Sequence, residues 1–169
     1  MRVKTLLLLL SVGCLVYFYY LHEERESVSV GEIAPAVTLP SHQGVVRLSD
    51  LRNKVVLLNF WASWCPACQA EMPSLEKLNR IMSGQPFKTL AISVDDDWRA
   101  VDLFTKKTPL SITVLLDSSG KSATRYGAFR LPETYLINKQ GVIVQKYVGP
   151  REWTDSSLVV EILRYVGAP

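Results

Sequence analysis

Val55–Glu71, VVLLNFWASWCPACQAE, sets out a strand, a turn and the start of a helix within one short stretch of this chain. Its first six residues, Val55 to Phe60, form a run that is apolar but for Asn59 and lacks the alternation of a strand that shows one face to water, so they suit a parallel sheet covered on both sides. The run breaks at Ser63-Trp64 into Cys65-Pro66-Ala67-Cys68. Beyond it Met72, Leu75, Leu78 and Met82 recur every three or four residues, which predicts a helix from about Pro66 to Ile81. Pro66 is tolerated in the first turn, where its missing N–H has no acceptor to lose. Pro73 lies inside the pattern and is expected to kink the helix, and Gly84 is a natural stop. The stretch therefore reads as a buried strand that delivers two thiols to the start of a helix.

That placement has a chemical consequence. A helix amino terminus carries partial positive charge and unpaired N–H groups, which stabilise a thiolate at Cys65 and lower its pKa from a free value of about 8.5. The thiolate is the attacking species in disulfide exchange. Cys65 can open a substrate disulfide, and Cys68, one turn away, can attack the mixed disulfide and release the product. The third cysteine, Cys14, lies far upstream, so no disulfide framework is available. Zinc sites generally need four ligands, and His22 and His42 are not spaced to complete one, so no metal is expected. Haem attachment would need a histidine after Cys68, where Gln69 stands. The expected cofactor set is empty apart from a redox-active Cys65–Cys68 disulfide.

Outward from the dithiol, Thr89–Val94 reads as a second buried strand. Asp95-Asp96-Asp97 offers a cap for a helix over about 98–105, with Lys106-Lys107 suiting its carboxyl end. Capping is preferred to a cation site there, because no further oxygen ligands follow at regular spacing. Ile112–Leu116 is a third strand, and a short helix over Lys121–Tyr126 follows. Strand, helix, strand, helix, strand, helix is the order of a parallel sheet with crossovers. Tyr135–Ile137 and Val142–Val148, joined at Asn138-Lys139-Gln140-Gly141, add an antiparallel hairpin, making the sheet mixed. Leu158, Val159, Ile162, Leu163 and Val166 give a last helix its apolar stripe, with Asp155 as cap. Upstream, Val37–Leu39 and Val45–Leu48 flank a turn and predict an amino-terminal β-hairpin. His42 in that turn reads as a solvated loop residue.

Composition bounds the rest. With 169 residues, 48% hydrophobic and 21% charged, the chain holds one compact domain and an extra segment. The net charge of +3 is spread without a basic block, so no nucleic-acid partner is expected. Thr5–Leu21 is an uncharged apolar run of 17 residues, preceded by Arg2 and Lys4 and followed by an acidic flank. It is at the short end of what crosses a bilayer. A cleaved signal and lipid attachment at Cys14 are the other readings, but the bulky end Tyr17-Phe18-Tyr19-Tyr20 favours an anchor. The expected organisation is an anchor and flank over 1–26, a linker over 27–30 and a folded domain over 31–169. The expected location is the bacterial cell membrane, single-pass through residues 5–21, with the catalytic domain on the extracytoplasmic, periplasmic side.

Asn59–Cys68, Pro73 and Leu131-Pro132-Glu133-Thr134 together resemble the thioredoxin superfamily, and within it the membrane-tethered TlpA/ResA-like branch that includes the cytochrome c maturation reductases. The likeness runs from about Gly31 to Val166. It implies a thioredoxin-like α/β fold, a central mixed sheet flanked by helices, with the amino-terminal hairpin and a central strand-helix insertion around Trp98–Leu116. Relatives with a buried acid carry aspartate where this chain has Asn59. That departure turns attention to Glu71, one turn past Cys68, where a carboxylate in this branch is thought to adjust the thiols; supporting its helix by charge alone is the other reading. The resemblance also implies a cis Pro132 beside the dithiol, leaving the Leu131 backbone to pair with an extended substrate, while Trp64 walls the site and Trp61 packs in the core.

By the same resemblance the activity is that of an exported protein-disulfide reductase, maintained by a membrane thiol electron donor. Its partners are exported protein thiols and disulfides, apocytochrome c among the candidates. Two rivals stay open from the residues. A peroxiredoxin-like peroxidase shares the hairpin but needs a threonine three residues before its cysteine, where Ala62 stands. A binding module with a structural disulfide is the other, although so small a loop argues for an exchangeable bond.

Overall fold

In the computed structural model, Gly13 and residues 28–168 are described. The strand predicted from the apolar run is β3 (Val55–Trp61), and every residue of it is buried. It pairs in parallel with β4 (Phe87–Ser93), which pairs in parallel with β5 (Thr113–Leu116). On its other side β3 meets β6 (Glu133–Ile137) antiparallel, and β6 meets β7 (Ile143–Val148). The order is therefore β5-β4-β3-β6-β7, with the dithiol strand at the centre. A separate antiparallel pair, β1 (Thr38–Ser41) and β2 (Gly44–Arg47), forms the predicted hairpin.

The run, apolar but for Asn59, now has a physical account. Side chains alternate across a strand, so Val55, Leu57 and Trp61 join one core while Val56, Leu58 and Phe60 join the other. Both faces are covered, and neither can be polar except where a polar side chain finds a partner. Asn59 is that exception, on the face shared with α1 (Pro66–Ile81). Helix α1 buries Met72, Leu75 and Leu78, each worth about 1.5–3 kcal/mol of removed apolar surface, and it runs through Pro73 as one helix. Helices α2 (Trp98–Lys107), α3 (Lys121–Tyr126) and α4 (Ser156–Gly167) follow the expected order.

One expectation gains a contact and one changes. His42 lies exposed in its turn, as expected, and in addition its Nε2 lies 2.7 Å from Asp102 Oδ1 and its ring packs on Trp98 at 4.1 Å, tying the hairpin turn to α2. The expectation of a single-pass protein of the bacterial cell membrane with an extracytoplasmic domain is corrected. Among the described residues no helix is long and apolar enough to cross a membrane. The longest, α1, has 16 residues and carries Glu71, Glu76, Lys77 and Arg80, whereas a span needs about 20 apolar ones. The 5–21 run on which the anchor reading rests lies outside the described residues, Gly13 apart, as does the flank to residue 26.

Candidate active site

The end of β3 hands the chain to α1 through a four-residue turn, Ala62–Cys65. Cys65 caps α1 in an extended conformation, and its Sγ accepts the N–H of Cys68 at 3.1 Å. The two cysteines are joined by a disulfide, with Cα atoms 5.2 Å apart. Cys65 keeps 6% of its surface and Cys68 none. The asymmetry follows from the helix: the cap position faces outward, and three residues later the chain has turned into the core. Of the two joined cysteines, Cys65 alone keeps exposed surface.

A groove of about 540 Å³ opens beside it, lined by Trp64, Cys65 and Ala67 on one side and Phe129 and Leu131 on the other. Trp64 is 66% exposed and Phe129 47% exposed. Trp61, by contrast, is fully buried against Phe104, as the sequence suggests. The Leu131–Pro132 peptide is cis. Pro132 does not line the groove; it is buried, with its C=O accepting the Gly149 N–H at 2.9 Å. Leu131 stands at the rim and makes no backbone hydrogen bond among the described residues. Behind it the buried Glu133 accepts the N–H groups of Phe129 and Arg130 and pairs with Lys146 at 3.1 Å, which fixes the loop carrying the groove's second wall.

Glu71 lies about one turn beyond Cys68 on α1, 3% exposed. One oxygen accepts Asn59 Nδ2 at 2.8 Å, and the other accepts the N–H of Arg151 at 3.0 Å and the indole N–H of Trp153 at 3.3 Å. Loss of hydration raises its pKa above the ordinary carboxylate value, and the three donors only partly offset this. Asn59 also donates to Thr134 Oγ1 at 2.9 Å, its register partner on β6. Asn59, which cannot titrate, thus holds the acid that can.

The structure brings Cys65, Trp64 and Leu131 to one groove and sets Cys68, Glu71 and Pro132 beneath or behind it. Sequence reasoning missed Arg151, Trp153, Thr134 and Phe129, none of which has a local spacing to Cys65. It also read Asp95 as part of a cap, a role that Asp97 alone fills by accepting the Ala100 N–H. No group of three or more histidine, cysteine or acidic side chains suited to a metal exists among the described residues. Ala62, fully buried, puts no hydroxyl where a peroxidatic site would need one. A second cleft, about 440 Å³, lies at the opposite end of the sheet against Val56 and Ile137 and contains no cysteine.

Residues 29–163 match the Redoxin family. The chain is 34% identical over 164 residues to the thiol-disulfide oxidoreductase ResA of Geobacillus thermodenitrificans (strain NG80-2), covering 95% of this chain and 94% of that one. It is 33% identical over 150 residues to ResA of Bacillus subtilis (strain 168), covering 87% and 84%. Among solved structures, a putative thiol:disulfide interchange protein DsbE from Chlorobium tepidum superposes with a TM-score of 0.79 and 32% identity, over 83% of this chain and all of that one.

Proposed function

The chain belongs to the Redoxin family as a ResA-like thiol-disulfide oxidoreductase of the thioredoxin superfamily, and we propose that it is a protein-disulfide reductase in which Cys65 attacks and Cys68 resolves. The observation that carries this reading is the cap geometry: Cys65 lines the groove, and its Sγ accepts the Cys68 N–H at the start of α1, so negative charge on that sulfur is stabilised where it forms. Cys65 thiolate attacks one sulfur of the substrate disulfide. That bond breaks, a substrate thiolate leaves and a mixed disulfide forms. Cys68 thiolate then attacks Cys65 Sγ, the second substrate sulfur leaves, and two electrons have passed from the dithiol to the substrate. Glu71 takes the proton from Cys68 through a water, a role supported by its burial and raised pKa.

The substrate is an extended segment of a protein, laid along the Leu131 backbone with an apolar side chain between Trp64 and Phe129. The CxxCH segment of an apocytochrome c is one such substrate, and an electron-donating dithiol returns the enzyme to its reduced form. The reading is tested with reduced protein, insulin and a disulfide-bonded CxxCH peptide. The expected result is reduction of the peptide with one equivalent of Cys65–Cys68 disulfide formed per disulfide opened. Failure to reduce either substrate overturns it.

A further inference from the structure

Next to the turn that presents Cys65 lies a buried carboxylate, Asp95, with no part in the exchange just described. We propose that Asp95 is a positioning residue for the nucleophile: its carboxylate fixes the Ala62–Cys65 turn through Ser63 and sets the charge environment of the Cys65 sulfur. The inference rests on Cys65 being the attacking thiol.

The sheet register puts Ser63 and Asp95 opposite each other. Trp61 and Ser93 are partners at the ends of the parallel strands β3 and β4, and each chain then continues two residues, one to Ser63 and the other to Asp95. Asp95 is 3% exposed. Its Oδ2 accepts the Ser63 N–H at 2.9 Å and the Ser93 hydroxyl at 2.6 Å, and its Oδ1 accepts the Ser63 hydroxyl at 2.7 Å. The Asp95 N–H returns to Ser93 Oγ at 3.0 Å, locking the carboxylate on its own strand. From the other side, the Gln69 side-chain amide donates to the Ser63 carbonyl. Every polar group of Ser63 is held, and Ser63 lies two residues before Cys65 and next to Trp64.

The fastening also carries a charge. Hydrogen bonds to a carboxylate are stronger than neutral ones, so the tether is stiff. Among the described residues no cation pairs with Asp95. A carboxylate beside the turn with hydrogen-bond donors but no cation partner opposes the helix terminus that stabilises a Cys65 thiolate. Asp95 thus fixes the sulfur while restraining its acidity, which keeps the disulfide form favoured and the dithiol a better reductant.

The test compares Asp95→Asn with Glu76→Gln, a buried carboxylate exchange elsewhere on the scaffold. Iodoacetamide alkylation of reduced protein, followed by peptide mapping, gives the Cys65 pH profile, and equilibration with glutathione gives the dithiol–disulfide constant. Asp95→Asn is expected to move the Cys65 midpoint down by about one pH unit and to shift the glutathione equilibrium several-fold toward the dithiol; Glu76→Gln moves neither. Ser63→Ala, which keeps the charge but loses one tether, is expected to lower kcat/KM for a peptide disulfide several-fold with the alkylation midpoint unchanged. Should Asp95→Asn not fold, Asp95→Ser takes its place in the alkylation and glutathione measurements with the same expected shifts, and Ser63→Ala decides the tether. An Asp95→Asn protein with a wild-type profile and equilibrium, or a Ser63→Ala protein with wild-type kcat/KM, overturns the proposal. Alkylation of Cys68 ahead of Cys65 in the wild type would instead overturn the assignment of the nucleophile.

Discussion

Glu71 and Glu76 lie five residues apart on α1, carry the same side chain and are almost equally buried, at 3% and 5% exposed. Five residues at about 100° each turn the second glutamate roughly 140° round the helix from the first. Glu76 therefore meets the segment before β5, accepting the Ser111 N–H and hydroxyl and the Ile112 N–H at 2.8, 2.6 and 3.2 Å, with Arg80 3.7 Å away. Glu71 meets the central strand and the 150–153 loop, where its partners are an amide, a backbone N–H and an indole, and where burial dominates its titration. Burial alone does not make a functional acid. What compensates the charge decides: Glu76 is a staple, and Glu71 is the acid whose pKa burial raises, which the proposed mechanism uses at the dithiol.

Four perturbations probe this division of labour. The largest effect belongs to the dithiol that Glu71 is proposed to serve and Glu76 is not: Cys65→Ser is expected to lower protein-disulfide reduction by about a thousandfold or more, because the attacking sulfur is gone. Insulin turbidity under dithiothreitol, measured against the uncatalysed rate, checks this. Next comes the staple. Glu76→Ala leaves two N–H groups and a hydroxyl without their acceptor and is expected to cost about 2–4 kcal/mol of stability, read as a fall in the urea midpoint. Its surviving folded fraction should react at Cys65 with a wild-type pH profile; a displaced profile would mean that the two glutamates are not separate devices.

Glu71→Gln should do the reverse. Its expected signature is a slower second step, about ten- to a hundredfold at neutral pH, with little loss of stability. Stopped-flow release of the mixed disulfide measures that step, and an unchanged rate would reduce Glu71 to a support for its helix. The smallest effect is on stability against pH. Because the folded state raises the Glu71 pKa, folded protein holds this proton at a pH where the unfolded chain has lost it. The resulting stabilisation is complete below the ordinary value of 4.5 and is lost as pH rises through the folded pKa. Denaturant titrations from pH 4.5 upward should show that loss in wild type and not in Glu71→Gln; parallel curves for the two proteins would mean that Glu71 titrates as an ordinary carboxylate.

The same pair shows what a sequence can carry. Glu71 was legible because it shares a helix with Cys68, and helical spacing fixes where a side chain three residues on must lie. The strand Val55–Trp61 was legible because a run without alternation has only one comfortable home. Arg151 and Trp153 were not, since they come back to Glu71 only when β6, β7 and the following loop close the sheet, 80 and 82 residues later. Asp95 is misread for a related reason. An acidic triplet before a helix looks like a cap, and only the parallel register of β3 and β4 separates Asp97, which caps, from Asp95, which faces Ser63. His42 shows the same limit, because its partner Asp102 is 60 residues away.

Attack by Cys65 and resolution by Cys68 underlie every role assigned above, and trapping separates the two thiols. Cys65→Ser and Cys68→Ser proteins are incubated separately with the disulfide-bonded CxxCH peptide, quenched with acid and analysed by mass spectrometry. A stable peptide adduct on Cys65 is expected in the Cys68→Ser protein, and essentially none in the Cys65→Ser protein. Equal adducts in both, or an adduct on Cys68 alone, would refute the assignment.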